Sequence, residues 1–195
     1  MGAALNTATI AAGDAVAVVG CGGVGLNVIQ GARIAGAGTI VAVDVNPAKL
    51  ATAEAFGATA VVDAGRVDPV NAVRDLTGQR GADVAFEALG MEGTINQTLD
   101  MTRRGGQAVL VGIPRLDVML TLPAMLGVVL QERTIKGCWY GSSDIRRDIP
   151  RLVDLYRQGR LKLDELVSRR IDLSDVNEAL EAMKSGDVTR SLIVY

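Results

Sequence analysis

The chemistry this chain can offer concentrates in one short run, Gly20-Cys21-Gly22-Gly23-Val24-Gly25, a G-x-G-x-x-G with one further glycine. Gly20 permits a tight turn out of a strand, Gly22 lets backbone approach a diphosphate, and Gly25 lets the following helix pack close to that strand. A helix opening at Gly23 and Val24 would turn unpaired N–H groups and the positive end of its dipole toward phosphate oxygens. Glycine runs are common, so the surroundings decide the meaning of this one. An apolar run precedes it and a helical pattern follows. Asp44 ends the next apolar run, 19 residues beyond Gly25. The expected spacing is about 20 for an acid that accepts the hydroxyls of an adenosine ribose. An ionised carboxylate there also repels the extra phosphate of NADP, so the two signals together read as a site for NAD. Methyltransferases also combine a glycine loop with a later acid, but they dock no diphosphate and do not need the third glycine.

Holding these residues requires a strand–loop–helix unit, and the sequence repeats that unit. Residues 15–20 (AVAVVG) read as a buried parallel strand and 24–35 as a helix, which Gly36-Ala37-Gly38 ends. A second strand follows at 39–44. Asn46 as cap and Pro47 as first helical residue then open a helix running to about Phe56. Strands are predicted at 60–62, 82–87 and 107–111, and helices from Asp68-Pro69 and over 92–101. Beyond Pro114 the rhythm changes. Residues 118–130 are apolar but broken by Pro123 and Gly127, and 134–136 read as a sixth strand. A helix over 147–158, a last amphipathic helix capped by Ser174, and a strand at 191–195 close the chain. Regular alternation with right-handed crossovers predicts an α/β fold. It is a doubly wound six-stranded parallel sheet, a Rossmann fold with helices on both faces, as a single domain over residues 1–195.

Composition narrows the field. The chain has 195 residues, nearly half of them apolar, and a net charge of −2, which excludes the basic field of a nucleic-acid binder. No run approaches the roughly 18 apolar residues of a membrane span, and the N-terminus lacks the layout of a signal peptide. Cys21 and Cys138, the only two cysteines, cannot make a disulfide framework, so a cytoplasmic location is expected. Cys21 would stand at a helix N-terminus, where a thiol pKa can fall, or would simply be a small residue in a tight loop. Histidine is absent, which removes the commonest general base and metal ligand.

The string from Val16 to Thr59, with FEALG (86–90), VLVGIP (109–114), IKGCWYG (135–141) and the tail MKSGDVTRSLIVY, resembles the cofactor domain of the medium-chain, zinc-dependent alcohol dehydrogenases. Within that family it is most similar to the branch of glutathione- or thiol-dependent formaldehyde dehydrogenases (class III). The resemblance implies NAD(H) as ligand and further site residues. Lys49 would reach the adenosine ribose. Val45 and Leu89 would sandwich the adenine, with Ala88 nearby. Val111, Cys138 and Tyr140 would offer backbone groups to the nicotinamide carboxamide, beside Gly112, Ile113 and Trp139. Arg190 would pair with the diphosphate. Residues 118–140 resemble the segment through which such enzymes form homodimers, extending one sheet across a two-fold axis.

The family's zinc ligands and proton relay have no counterpart here, so the resemblance implies the cofactor-binding half without its catalytic half. The expectation is an NAD-binding domain of a zinc-dependent alcohol dehydrogenase, with no catalytic or metal-ligating residue of its own. It would bind NAD without turning over alcohol. Two alternatives stand beside it. One is the cofactor domain of a quinone-reductase-like enzyme, which Asp44 opposes; the other is a non-catalytic NAD-sensing module.

Overall fold

The first strand, β1 (Ala15–Val19), is buried at every position, as an unbroken apolar run in the middle of a sheet must be. The structure is a computed structural model describing residues 1–185 and 188–195; Gly186 and Asp187 of the C-terminal motif lie outside the described residues. It falls into two compact units, Met1–Ser143 and Asp144–Tyr195.

The first unit carries β1, α1 (Gly23–Ala35), β2 (Thr39–Asp44), α2 (Pro47–Ala55), β3 (Ala60–Asp63), α3 (Pro69–Leu76), β4 (Ala82–Glu87), α4 (Glu92–Met101), β5 (Thr102–Leu110) and β6 (Thr134–Gly137). All six strands pair in parallel in the order β3-β2-β1-β4-β5-β6. The direction of winding reverses between β1 and β4, so the sheet is doubly wound, with a switch point where ligands bind beyond the carboxyl ends of the strands. Right-handed crossovers put α1 and α2 on one face and α3 and α4, which pack on each other, on the opposite face. Val73 of α3 closes a core over Ala17, Val19, Val41, Val43 and Ala85, while Ile95 and Leu99 of α4 pack on Ala108.

Local chemistry fixes the element ends. Gly36 ends α1 in the left-handed conformation, at φ +98°. Asn46 accepts the Ala48 N–H at 2.9 Å, Asp68 accepts the Asn71 N–H at 2.8 Å, and a proline follows each cap. β5 begins at Thr102, earlier than expected. It pairs there with Ala82, then skips to the pair Gln107–Val84, so residues 103–106 bow out of the ladder. The apolar stretch after Pro114 is no regular strand or α-helix. Val118 and Leu122 pack against Ile95, Leu99 and Ala108, a π-helical turn occupies Ala124–Val129, and Met125, Leu126 and Val129 are exposed.

The second unit contains α5 (Ile145–Arg157), β7 (Arg169–Ile171), α6 (Val176–Ser185) and β8 (Ser191–Ile193), with β7 and β8 forming a parallel pair. β7 is not expected from its sequence, Arg-Arg-Ile. Ser174 does not cap the last helix: it sits inside a 3₁₀ turn, Leu173–Asp175, with its hydroxyl on Asp175 Oδ1 at 3.1 Å.

Candidate functional site

The carboxyl ends of β1, β2 and β4 bring the glycine loop and Asp44 together. Gly20 turns the chain out of β1 at φ +92°, and its N–H reaches the Val43 carbonyl at 2.8 Å. Gly25 is a steric necessity, since a Cβ there would lie 1.8 Å from the Gly20 carbonyl oxygen. Gly22 is different. Its backbone (φ −76°, ψ −169°) suits any residue, and a Cβ would meet nothing within 4 Å. The protein itself therefore does not demand a glycine at position 22. The open space lies where α1 begins, a helix with no side-chain cap, so its first N–H groups face outward unpaired. A diphosphate fits this cradle.

Asp44 is 9% exposed and oriented from both sides. Oδ2 accepts the Cys21 N–H at 2.8 Å and Oδ1 the Asn46 N–H at 2.9 Å, leaving further lone pairs to accept hydroxyls. Lys49 is near enough to act electrostatically on the Cys21 thiol. That thiol is not activated by the helix. Burial first, and the Asp44 carboxylate second, push its pKa up to about 12, so it is a small buried residue of the loop. Val45 and Leu89 are exposed apolar side chains just past the ends of β2 and β4, the two strands flanking β1. Leu89 also lies against Gly20, and Ala88 is half-buried, its N–H on the Val19 carbonyl at 2.9 Å.

On the other side of the switch point a cleft of about 410 Å³ is lined by Val24, Val111, Ile113, Cys138, Trp139 and Tyr140, among others. All six are residues expected at the site. The N–H groups of Val111 and Cys138 are taken by the carbonyls of Glu87 (2.8 Å) and Leu110 (2.9 Å). Trp139 and Tyr140 are exposed and meet edge to face, with ring centroids 5.1 Å apart. Arg190 belongs to the second unit. It is exposed, and its carbonyl accepts the Ser168 N–H at 2.8 Å.

One organising residue is not anticipated. Glu87 ends β4 fully buried, and its carboxylate accepts the Leu89 N–H at 2.9 Å, the Gly90 N–H at 2.8 Å and the Thr94 hydroxyl at 2.7 Å. Its backbone carbonyl accepts the N–H groups of Val111 and Gly112. Glu87 thus ties the loop after β4 to the loop after β5. Gly112 must be glycine, because a Cβ would lie 2.2 Å from the Gly90 nitrogen. The acid of FEALG is visible in the sequence, but its partners are mostly backbone groups that leave no signal there.

A catalytic zinc does not fit the residues present. The sequence has no histidine, both cysteines are buried, and no group of three or more possible ligands occurs among the described residues.

Residues 23–158 match the family model described as zinc-binding dehydrogenase, and the chain belongs to that family. It is 33% identical over 205 residues to the S-(hydroxymethyl)glutathione dehydrogenase of Paracoccus denitrificans, a match covering all of this chain and 53% of that protein. Among solved structures it resembles an alcohol dehydrogenase zinc-binding domain protein from Burkholderia ambifaria (TM-score 0.94, 35% identity, 100% of this chain and 52% of that one). It also resembles a zinc-binding dehydrogenase from Sinorhizobium meliloti bound to NADP (TM-score 0.82, 29% identity, 91% and 51%). The chain spans about half the length of the relatives it matches.

Proposed function

We propose that this chain binds NAD(H) along the carboxyl edge of its sheet and serves as the cofactor-holding half of a zinc-dependent alcohol dehydrogenase. The observation that carries this reading is the pairing of the open cradle at Gly22 with the Asp44 carboxylate, which the Cys21 N–H holds beside the same loop. The α1 N-terminus takes the diphosphate, Asp44 and Lys49 the adenosine ribose, and Val45 and Leu89 the two faces of the adenine. With their N–H groups occupied, Val111 and Cys138 have carbonyls to offer a carboxamide, and Tyr140 supplies backbone beside them. Bound NAD supplies a hydride acceptor. The chain's own residues orient the ring over the cleft of Val24, Val111 and Ile113 and shield one face of it from water.

Asp44 favours NAD over NADP by charge and opposes the quinone-reductase alternative. The exposed apolar run around Met125–Val129, next to the edge strand β6, supports a homodimer built through residues 118–140. No described helix is long and apolar enough to cross a membrane. The two free cysteines support a cytoplasmic location. The 195-residue chain is expected to bind NAD(H) without oxidising alcohol, and zinc-dependent NADH formation by it would overturn that expectation.

The sole tryptophan, Trp139, lines the cleft and reports on it. Titration with NADH is expected to quench its emission and to sensitise that of the reduced ring. A folded sample with no spectral change on addition of NADH would contradict the site.

A further inference from the structure

The loop that closes the cleft is held in an unusual backbone conformation. Tyr140, Gly141 and Ser142 all lie in the left-handed region, at φ +48°, +68° and +48°. Two of the three are not glycine, and a run of left-handed residues persists only where its surroundings over-determine it. The restraint comes from the other end of the first unit, the π-helical turn Ala3–Thr7. Asn6 Nδ2 donates to the Gly141 carbonyl at 3.2 Å. The Thr7 hydroxyl is 2.8 Å from the Ser142 hydroxyl and donates to Cys138 Sγ at 3.2 Å. The turn is itself anchored to the sheet, since Lys136 Nζ of β6 donates to the Thr7 carbonyl at 3.1 Å and to Gln107 Oε1 at 3.0 Å. Gln107 of β5 in turn exchanges two hydrogen bonds with the Thr9 backbone. Gly2 lets the two segments approach, because a Cβ there would lie 2.3 Å from the Gly141 carbonyl oxygen.

We infer that Asn6 and Thr7 are positioning residues for the nicotinamide half of the dinucleotide: they set the backbone of Cys138–Tyr140 that meets the carboxamide. This rests on the NAD(H) reading above. The described side-chain hydrogen bonds of Asn6 and Thr7 run to Cys138, Gly141, Ser142 and Ser143, all in the loop on the nicotinamide side, so that half of the ligand is where their loss is expected to be felt. The Thr7–Ser142 and Thr7–Cys138 contacts bracket the segment Cys138–Tyr140, which lines the cleft and whose backbone groups the NAD(H) reading assigns to the carboxamide. Losing them frees Tyr140 and Ser142 to relax toward ordinary backbone, which turns those groups away.

The test compares calorimetric affinities of the full 195-residue chain for NADH and for ADP-ribose, which lacks the nicotinamide. In Thr7→Val and Asn6→Ala, NADH affinity is expected to fall about 5- to 10-fold per lost hydrogen bond, with ADP-ribose binding within about twofold of wild type. Thr7→Ser, which keeps the hydroxyl, is expected to restore NADH binding. Equal losses for both ligands, or unchanged NADH binding in both variants, would overturn the inference. Failure of the wild-type chain to bind either ligand would instead strike the NAD(H) reading beneath it.

Discussion

Gly22 and Gly25 look alike in the sequence and do opposite work in the structure. Gly25→Ala drives a methyl into the Gly20 carbonyl and is expected to cost about 3 kcal/mol of stability by chemical denaturation. Gly22→Ala meets no protein atom and is expected to leave stability within about 0.5 kcal/mol of wild type. It should weaken NADH binding at least about tenfold, because its methyl would fill the open space in which we place the diphosphate. Both positions were legible from spacing alone, although only Gly25 answers a steric demand of the protein itself. The state of Cys21 was not, because a helix N-terminus lowers a thiol pKa and burial raises it, and sequence does not weigh the two. With its pKa pushed up to about 12 by burial, Cys21 is expected to resist iodoacetamide in the folded chain at pH 8 and to react only after denaturation. Rapid labelling of the native protein would contradict its placement under the Asp44 carboxylate.

Among the elements, the strands that carry the site were the most legible. β2 and β4 have the bounds their apolar runs predict, because strands buried on both faces leave little choice of residue. Two misreadings have a physical cause. The start of β5 hides in Thr-Arg-Arg-Gly-Gly, which reads as a turn, and β7 is three residues long with two arginines. The first of these has a consequence for stability. Arg103, in the bowed part of β5, pairs with Asp83 of β4, and Asp83 also accepts the Ala15 N–H of β1 at 2.8 Å. Burial pushes the Asp83 pKa up, but the Ala15 N–H and then Arg103 outweigh it and hold the carboxyl below the usual carboxylate range. A depressed folded pKa gives stability that is present above the unfolded value, about 3.9, and lost as pH falls through the folded one. Asp83→Asn is therefore expected to cost about 1 kcal/mol near pH 7, a cost that shrinks below about pH 4. A penalty that stays constant down to pH 2 would show that the charge is not what matters.

At the level of the whole molecule, the six-stranded sheet ends at β6 with one edge unpaired by any described strand, beside a turn whose Met125, Leu126 and Val129 side chains are exposed. Apolar side chains next to an open edge are an association surface or a liability. Sedimentation analysis is expected to show a dimer, and Leu126→Glu with Val129→Glu is expected to give a folded monomer. A wild-type monomer at micromolar concentration would contradict the association. The central claim concerns the ligand. It is tested most directly by calorimetric titration of the full chain with NADH and NADPH under identical salt, since the proposed role of Asp44 is to repel the extra phosphate by charge. NADH is expected to bind at least about tenfold more tightly, and Asp44→Ala to narrow that gap. Equal or tighter binding of NADPH, or no binding of either to the folded chain, would contradict the reading of Asp44 and the glycine loop as an NAD site.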